Sequence, residues 1–215
     1  MASQSLISTV NGYENYIERN GIDEQVIDAY VQATAVALRT EHDVDYGLKI
    51  SARTKQLIAN YVKQYTGGRV ADLEVYAGEH DTTYKVLQQF YDVLMYESAY
   101  LVDSFFYYIE IDEKDPYKRF YFPRYKVLQP VVKAYQEIYD GKLDFLSVSQ
   151  PKRTGKTTGG LKLAQMMGGR DPDGSIFGVG KGEGLVKRFY GGLLQGFETE
   201  STYQRFLSVF PEATK

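Results

Sequence analysis

Through the first half of the chain, apolar residues recur three and four positions apart. Leu6, Val10, Tyr13 and Ile17 fall on one helical stripe, and Ile27, Val31, Ala35 and Leu38 on another. Gly21, Gly47 and the Gly67-Gly68 pair punctuate these stripes. The spacing predicts the longest helix from about Thr82 to Tyr108, with Leu87, Phe90, Leu94, Leu101 and Phe105 along its apolar face. The tyrosines that accompany such stripes, 20 in the whole chain, are expected to pack with their hydroxyls at the rim. Ile109–Glu113 alternates like a strand ending in carboxylates, but Glu110 in its middle reads as a helix end. Asp112–Arg119 is densely charged, holds Pro116, and marks a boundary.

From Phe120 the pattern changes. Arg124–Tyr139 reads as a helix kinked or restarted at Pro130, and Asp140-Gly141-Lys142 as a tight turn. Leu143–Ser149 and Ser175–Val179 have the make-up of short buried strands. Each is followed by a loop and then a helix, the first running to about Met167 and the second from Leu185 to Phe197. Strand, loop, helix, strand, helix is how a parallel sheet begins. The expected fold is α/β: a helical N-terminal module over residues 1–115, then the first half of a parallel sheet with flanking helices over residues 116–215. Two strands are too few for a complete sheet.

Composition narrows the classes. With 43% hydrophobic and 14% aromatic residues the chain can fill a core, which excludes wholesale disorder. The absence of cysteine excludes a disulfide framework, a thiolate zinc site, an iron–sulfur cluster and a cysteine nucleophile. No apolar run approaches the roughly 18–20 residues of a membrane span and no signal-peptide pattern opens the chain, so a soluble intracellular protein is expected. The net charge of −3 conceals a division. Up to Asp115 there are 9 basic and 19 acidic residues; from Pro116 there are 16 and 9. An acidic half joined to a basic half directs any polyanion to the second.

The chemistry concentrates in Gln150-Pro151-Lys152-Arg153-Thr154-Gly155-Lys156-Thr157-Thr158, between a strand candidate and a helix. A phosphate-binding loop is Gly, four residues, then Gly-Lys-Ser/Thr. Gly155, Lys156 and Thr157 fit, while Gln150 stands where the first glycine is usual. Backbone N–H groups at a helix N-terminus cradle an anion. Gly155 permits close approach, Lys156 reaches the β- and γ-phosphates of ATP, and the Thr157 hydroxyl suits Mg²⁺. Lys152 and Arg153 are added cations, at least one of them expected to serve catalysis by contacting the γ-phosphate; the alternative is that they are solvated and add only positive field.

Phe120–Pro130 (FYFPRYKVLQP) and the DGKLDFLSVSQPKRTGKTT stretch resemble the large terminase subunit of tailed bacteriophages. So do Gly169-Arg170-Asp171-Pro172, the SIFGVGKGEGLVKRFYGGLL stretch, and the segment from Thr202-Tyr203 to Val209-Phe210-Pro211. The resemblance covers about residues 118–211, and residues 1–117 match nothing. It implies a P-loop ATPase, the motor that drives double-stranded DNA into a capsid, with Lys156 as the phosphate lysine and Thr157 as the Mg²⁺-site hydroxyl. It makes Lys152 or Arg153 the loop's basic sensor, and Gln129, with Gln136 behind it, the adenine-contacting glutamine, Arg124 lining the same pocket. Implied partners are double-stranded DNA, the portal protein and the small terminase subunit, with a ring homo-oligomer of the full-length protein and the bacterial host cytoplasm as location.

The family's apolar strand ending in Asp-Glu (Walker B) has no counterpart after Lys156, nor has its nuclease domain. The chain is therefore expected to bind Mg·ATP with little or no turnover. Two other readings stand beside this one: a nucleotide-binding, non-hydrolysing module that docks portal or small terminase, and an unrelated small P-loop phosphotransferase. Gly178–Gly184 reads as a flexible turn rather than a second nucleotide loop. Glu41-His42-Asp43 and Glu79-His80-Asp81 read as polar turns rather than metal ligands. Lys181, Lys187, Arg188 and Arg205 are the candidates to face DNA phosphates, against ordinary solvated charge.

Overall fold

The computed structural model describes residues 2–64, 74, 83–198 and 200–214. Gly67-Gly68, Thr82 and the Glu79-His80-Asp81 triplet lie outside the described residues. Contacts divide the chain into Met1–Glu97 and Ser98–Lys215. The charged Asp112–Arg119 segment therefore lies inside the second unit, where the Arg119 guanidinium is buried and donates to the carbonyls of Ile111 and Glu113.

The first unit is built from α1 (Gln4–Asn20), α2 (Glu24–Ala35), α3 (Val44–Tyr61) and α4 (Tyr84–Glu97), with a π-helical turn at Val36–Thr40 after α2. Each of the first three starts at a residue whose side chain accepts a backbone N–H that has no intrahelical partner. Ser3 takes Leu6 N–H at 3.1 Å, Asp23 takes Val26 N–H at 2.8 Å and Asp43 takes Tyr46 N–H at 3.1 Å. The apolar stripes meet in a core where Ile27, Tyr30, Leu38, Leu57, Ile58, Val86 and Val93 are fully buried. Gly21 ends α1 at a positive φ of 83°. Gly47, expected as punctuation, lies within α3; a Cβ there would fall 2.3 Å from Leu38 Cδ2, so the glycine is needed for packing. Glu97 is buried, receiving Lys55 Nζ at 2.6 Å and Ser51 Oγ at 2.8 Å.

The second unit carries α5 (Val102–Tyr108), α6 (Tyr125–Tyr139), α7 (Lys156–Arg170), α8 (Glu183–Glu198) and α9 (Glu200–Val209). The long helix expected to end at Tyr108 is broken after Glu97 by a turn at residues 98–100. The freed backbone groups are taken by α6: Gln136 accepts Val102 N–H at 2.8 Å and donates to Tyr100 O at 2.9 Å, and Tyr139 OH donates to Ala99 O at 2.7 Å. Burial pushes the Tyr139 hydroxyl up to about 12. Ile109 closes α5, so Ile109–Glu113 is a helix end as expected. Pro130 is accommodated inside α6.

The expected α/β fold with a P-loop parallel sheet is overturned. The regular structure of the described residues is all helical, with no strand among them. Leu143–Ser149 and Ser175–Val179 are neither helical nor laddered. A helix satisfies its backbone within the segment, whereas a strand exists only beside another. Neither segment has such a neighbour among the described residues, and Phe145 (81% exposed) and Phe177 (90%) are left in solvent.

Candidate functional site

The Gln150–Thr158 loop ends at Gly155, which has a φ of 97° and stands as the N-cap of α7. Two constraints select glycine. A side chain disfavours the left-handed backbone, and a Cβ would fall 2.2 Å from Phe120 Cε2, because that ring lies against the glycine. Arg153 also has a positive φ, 68°, so the loop reverses twice within three residues. The first bond of α7 runs from Gly159 N–H to Gly155 O at 2.8 Å. The N–H groups of Lys156, Thr157 and Thr158 thus lack an acceptor within the helix, and unlike α1–α3 this helix has no capping side chain.

Lys156 Nζ donates to Gln150 O, folding the ammonium back across the loop. Thr154 Oγ1 donates to Pro151 O at 2.8 Å. Lys152, Arg153, Lys156, Thr157 and Thr158 are exposed. The N–H groups that open α7, with the Lys156 ammonium and the exposed Lys152 and Arg153 side chains on the same loop, are a donor set suited to an oxyanion, and the exposed Thr157 hydroxyl provides a hard oxygen for Mg²⁺. The residues present thus fit a phosphate chain with its metal.

The two flanking candidates differ. Arg124 Nη1 donates to Phe120 O at 3.0 Å, so it is fastened to the residue whose ring covers Gly155. Gln129 Nε2 donates instead to Asp103 Oδ1 at 2.8 Å and Tyr121 OH at 3.0 Å, within a network in which Tyr121 OH also donates to Asp103. Burial, then the Asp103 charge, drive the Tyr121 hydroxyl far above its ordinary value, so it stays a donor. Gln136, behind Gln129, is committed to the helix break.

Three supports escaped the motif. Phe120 shapes the loop from outside it. Tyr135 on α6 lies against Gly159, 3.2 Å from where a Cβ would stand, and lets the first turn of α7 sit close. Lys162 pairs with Glu110 at 3.0 Å, both largely buried, and the other Glu110 oxygen accepts Tyr121 N–H at 2.9 Å. Phe120 heads the FYFPRYKVLQP stretch and was visible there only as an aromatic; Glu110 was visible as an odd carboxylate in an apolar run.

Among the remaining candidates, Arg205 bonds Asp112 and stacks over Tyr108 at 5.5 Å, and Lys187 pairs with Glu183 at 2.6 Å. Lys181 and Arg188 are exposed. Glu41 and Asp43 accept the backbone N–H groups of Ser3 and Ala2, making that triplet a polar turn. No group of three or more His, Cys, Asp or Glu suited to a metal occurs among the described residues. Among these residues no helix is long and apolar enough to cross a membrane. No protein-family model, curated protein or solved structure matches the chain.

Proposed function

We propose that Gln150–Thr158 binds the phosphates of Mg·ATP and that the chain is the ATP-binding part of a terminase-like motor that packages double-stranded DNA. The observation that carries the nucleotide reading is Gly155: a left-handed N-cap that leaves the N–H groups of Lys156–Thr158 without helical acceptors, on a loop whose Gln150 carbonyl holds the Lys156 ammonium. The motor reading adds the ordered motifs of residues 118–211. In it Lys156 exchanges Gln150 O for a phosphate oxygen, Thr157 contributes a metal ligand, and Lys152 or Arg153 meets the γ-phosphate. Arg124 borders the loop through Phe120, and Gln129 reads the base from its place beside Tyr121 and Asp103. The Thr157 hydroxyl would hold Mg²⁺, which would supply neutralisation of the phosphate charge. DNA, portal protein and small terminase are the proposed partners, the ring homo-oligomer belongs to the full-length protein, and the host cytoplasm is its location.

Titration of the chain with a fluorescent ATP analogue and Mg²⁺ tests the loop. Lys156→Ala is expected to weaken binding about ten- to a hundredfold, the range of a charge-assisted hydrogen bond. Neutralising Lys152 or Arg153 should change it only a few-fold, since contacts made mainly in the transition state affect rate rather than affinity. Undiminished binding by Lys156→Ala, or no binding by the parent chain at millimolar nucleotide, overturns the reading.

A further inference from the structure

Two stretches of the second unit carry no carboxylate. Residues 116–136 hold five Lys or Arg and residues 145–170 another five, without one Asp or Glu in either. The stretches lie together, since the Phe120 ring covers Gly155 and Tyr135 lies against Gly159. Several of the ten cations are already committed. Arg119 bonds the carbonyls of Ile111 and Glu113, Lys162 pairs with Glu110, Arg170 donates to Tyr139 O, and Lys118 meets Asp115 at 3.6 Å. Lys126 and Lys133 are not: both are exposed, two turns apart on one side of α6, and Glu137 is the first carboxylate further along that side. The exposed Lys152 and Arg153 adjoin the start of this helix, because Arg124, the residue before it, is bonded to Phe120 O.

Aromatic rings are interleaved with these cations. Tyr117 and Tyr125 are 66% and 48% exposed. Each is steadied by one neighbouring ring at nearly a right angle, Tyr117 by Phe122 at 5.6 Å and Tyr125 by Tyr121 at 6.4 Å. A ring held in place loses little freedom when a flat ligand settles on it. We propose that this face of the second unit binds single-stranded nucleic acid, with Tyr117 and Tyr125 stacking on bases and Lys126, Lys133 and the loop cations lying along the phosphates. An acid-free basic surface suits a polyanion, and exposed tyrosines beside it suit one that carries free aromatic faces. An acidic peptide meets the charge but offers no bases. A duplex meets the charge but keeps its base faces covered by their neighbours. The ligand therefore differs from the duplex of the motor reading, and the surface stands even if the loop holds no ATP.

Fluorescence anisotropy of a labelled thymidine oligomer of about 20 nucleotides, titrated with the whole chain, reads the binding. Log affinity should fall with log salt at a slope of about −1.4 to −3, the mark of two to four neutralised phosphates on a single strand. Lys126→Glu combined with Lys133→Glu should weaken binding at least about tenfold. Tyr117→Leu and Tyr125→Leu should each weaken it about five- to a hundredfold, the range of one lost base stack, with unchanged helical circular dichroism. Tyr117→Phe and Tyr125→Phe keep the ring and should bind like the parent. A duplex of the same length should bind at least about tenfold more weakly. Lys156→Ala should change binding less than about threefold, because that ammonium is folded onto Gln150 O. No binding at about 50 mM salt and 100 μM chain overturns the proposal, as does equal affinity for the duplex. Leu and Phe variants that behave alike remove the stacking and overturn it. A loss in Lys156→Ala as large as that of the α6 pair moves the oligomer to the loop and overturns the surface.

Discussion

The two units spend their apolar residues differently. In Met1–Glu97, most of the large apolar side chains of α2, α3 and α4 are turned inward, Tyr84 at the start of α4 excepted, and even the Glu97 carboxylate is closed in with its Lys55 partner. Ser98–Lys215 has a core as well, with Val102, Phe105, Phe106, Tyr121 and Met166 nearly inaccessible. Yet it also displays Phe145, Phe177, Val179, Leu185 and Tyr190 to solvent. Gly155 holds the loop at a left-handed φ of 97°, where a Cβ would also meet the Phe120 ring. The lesson is one of allocation. The first unit buries most of its large apolar groups, and the second leaves Phe145, Phe177 and Val179 more than four-fifths exposed.

The largest test of that contrast is paired truncation. Leu57→Ala, in the first unit's core, is expected to cost about 2–5 kcal/mol through lost contacts and a residual cavity. Phe177→Ala deletes a larger side chain and should stay within about 0.5 kcal/mol. Urea unfolding followed by circular dichroism compares them; equal losses would erase the distinction.

A smaller effect is expected at the loop. Gly155→Ala must hold a left-handed φ, costing about 1–2 kcal/mol, and must also displace the Phe120 ring. Adding Phe120→Ala removes the clash but not the backbone term. The pair should therefore recover part of the nucleotide affinity that Gly155→Ala loses. Full recovery would mean that the left-handed backbone is unimportant, and none would mean that the ring is.

The smallest effect lies on the surface of the first unit. The Arg53 hydrogen bond, with further help from Tyr30 and against the opposing effect of burial, holds Glu14 below its ordinary value of 4.5. Because the folded value is depressed, this pair contributes stability above the unfolded value and loses it as pH falls through the folded one. With both partners about a third exposed, the contribution should be under about 1 kcal/mol. Unfolding midpoints at pH 7 and at pH 3–4 should therefore converge slightly in Arg53→Ala, and an unchanged difference would remove the pair from the acid response.

The loop was legible as local geometry because Gly-Lys-Thr before a helix specifies its own turn; Gly155 and the start of α7 lie where the sequence puts them. Its surroundings were not legible. Phe120, Tyr135 and the Lys162–Glu110 pair lie from 7 to 45 residues from Gly155 in sequence, and no spacing rule links them to it. Gln129 and Gln136 were indistinguishable as two glutamines on one helix. Their partners separate them, one at Asp103 and Tyr121 and the other at the broken backbone of residues 100–102.

What the sequence by itself determined is the stripes of α1 and α2, the helix of α6 and the turn at Gly141 that follows it. A helix closes its hydrogen bonds four residues back, so its instructions travel with it. What the tertiary structure alone decided is where helical continuity fails and where an apolar run finds no partner. Glu97 ends α4 because Gln136 and Tyr139 satisfy the turn that follows, and Leu143–Ser149 and Ser175–Val179 remain unladdered because a strand's hydrogen bonds belong to its neighbour. Apolar alternation can mark a segment as able to pair, but only a second segment lying beside it makes the strand.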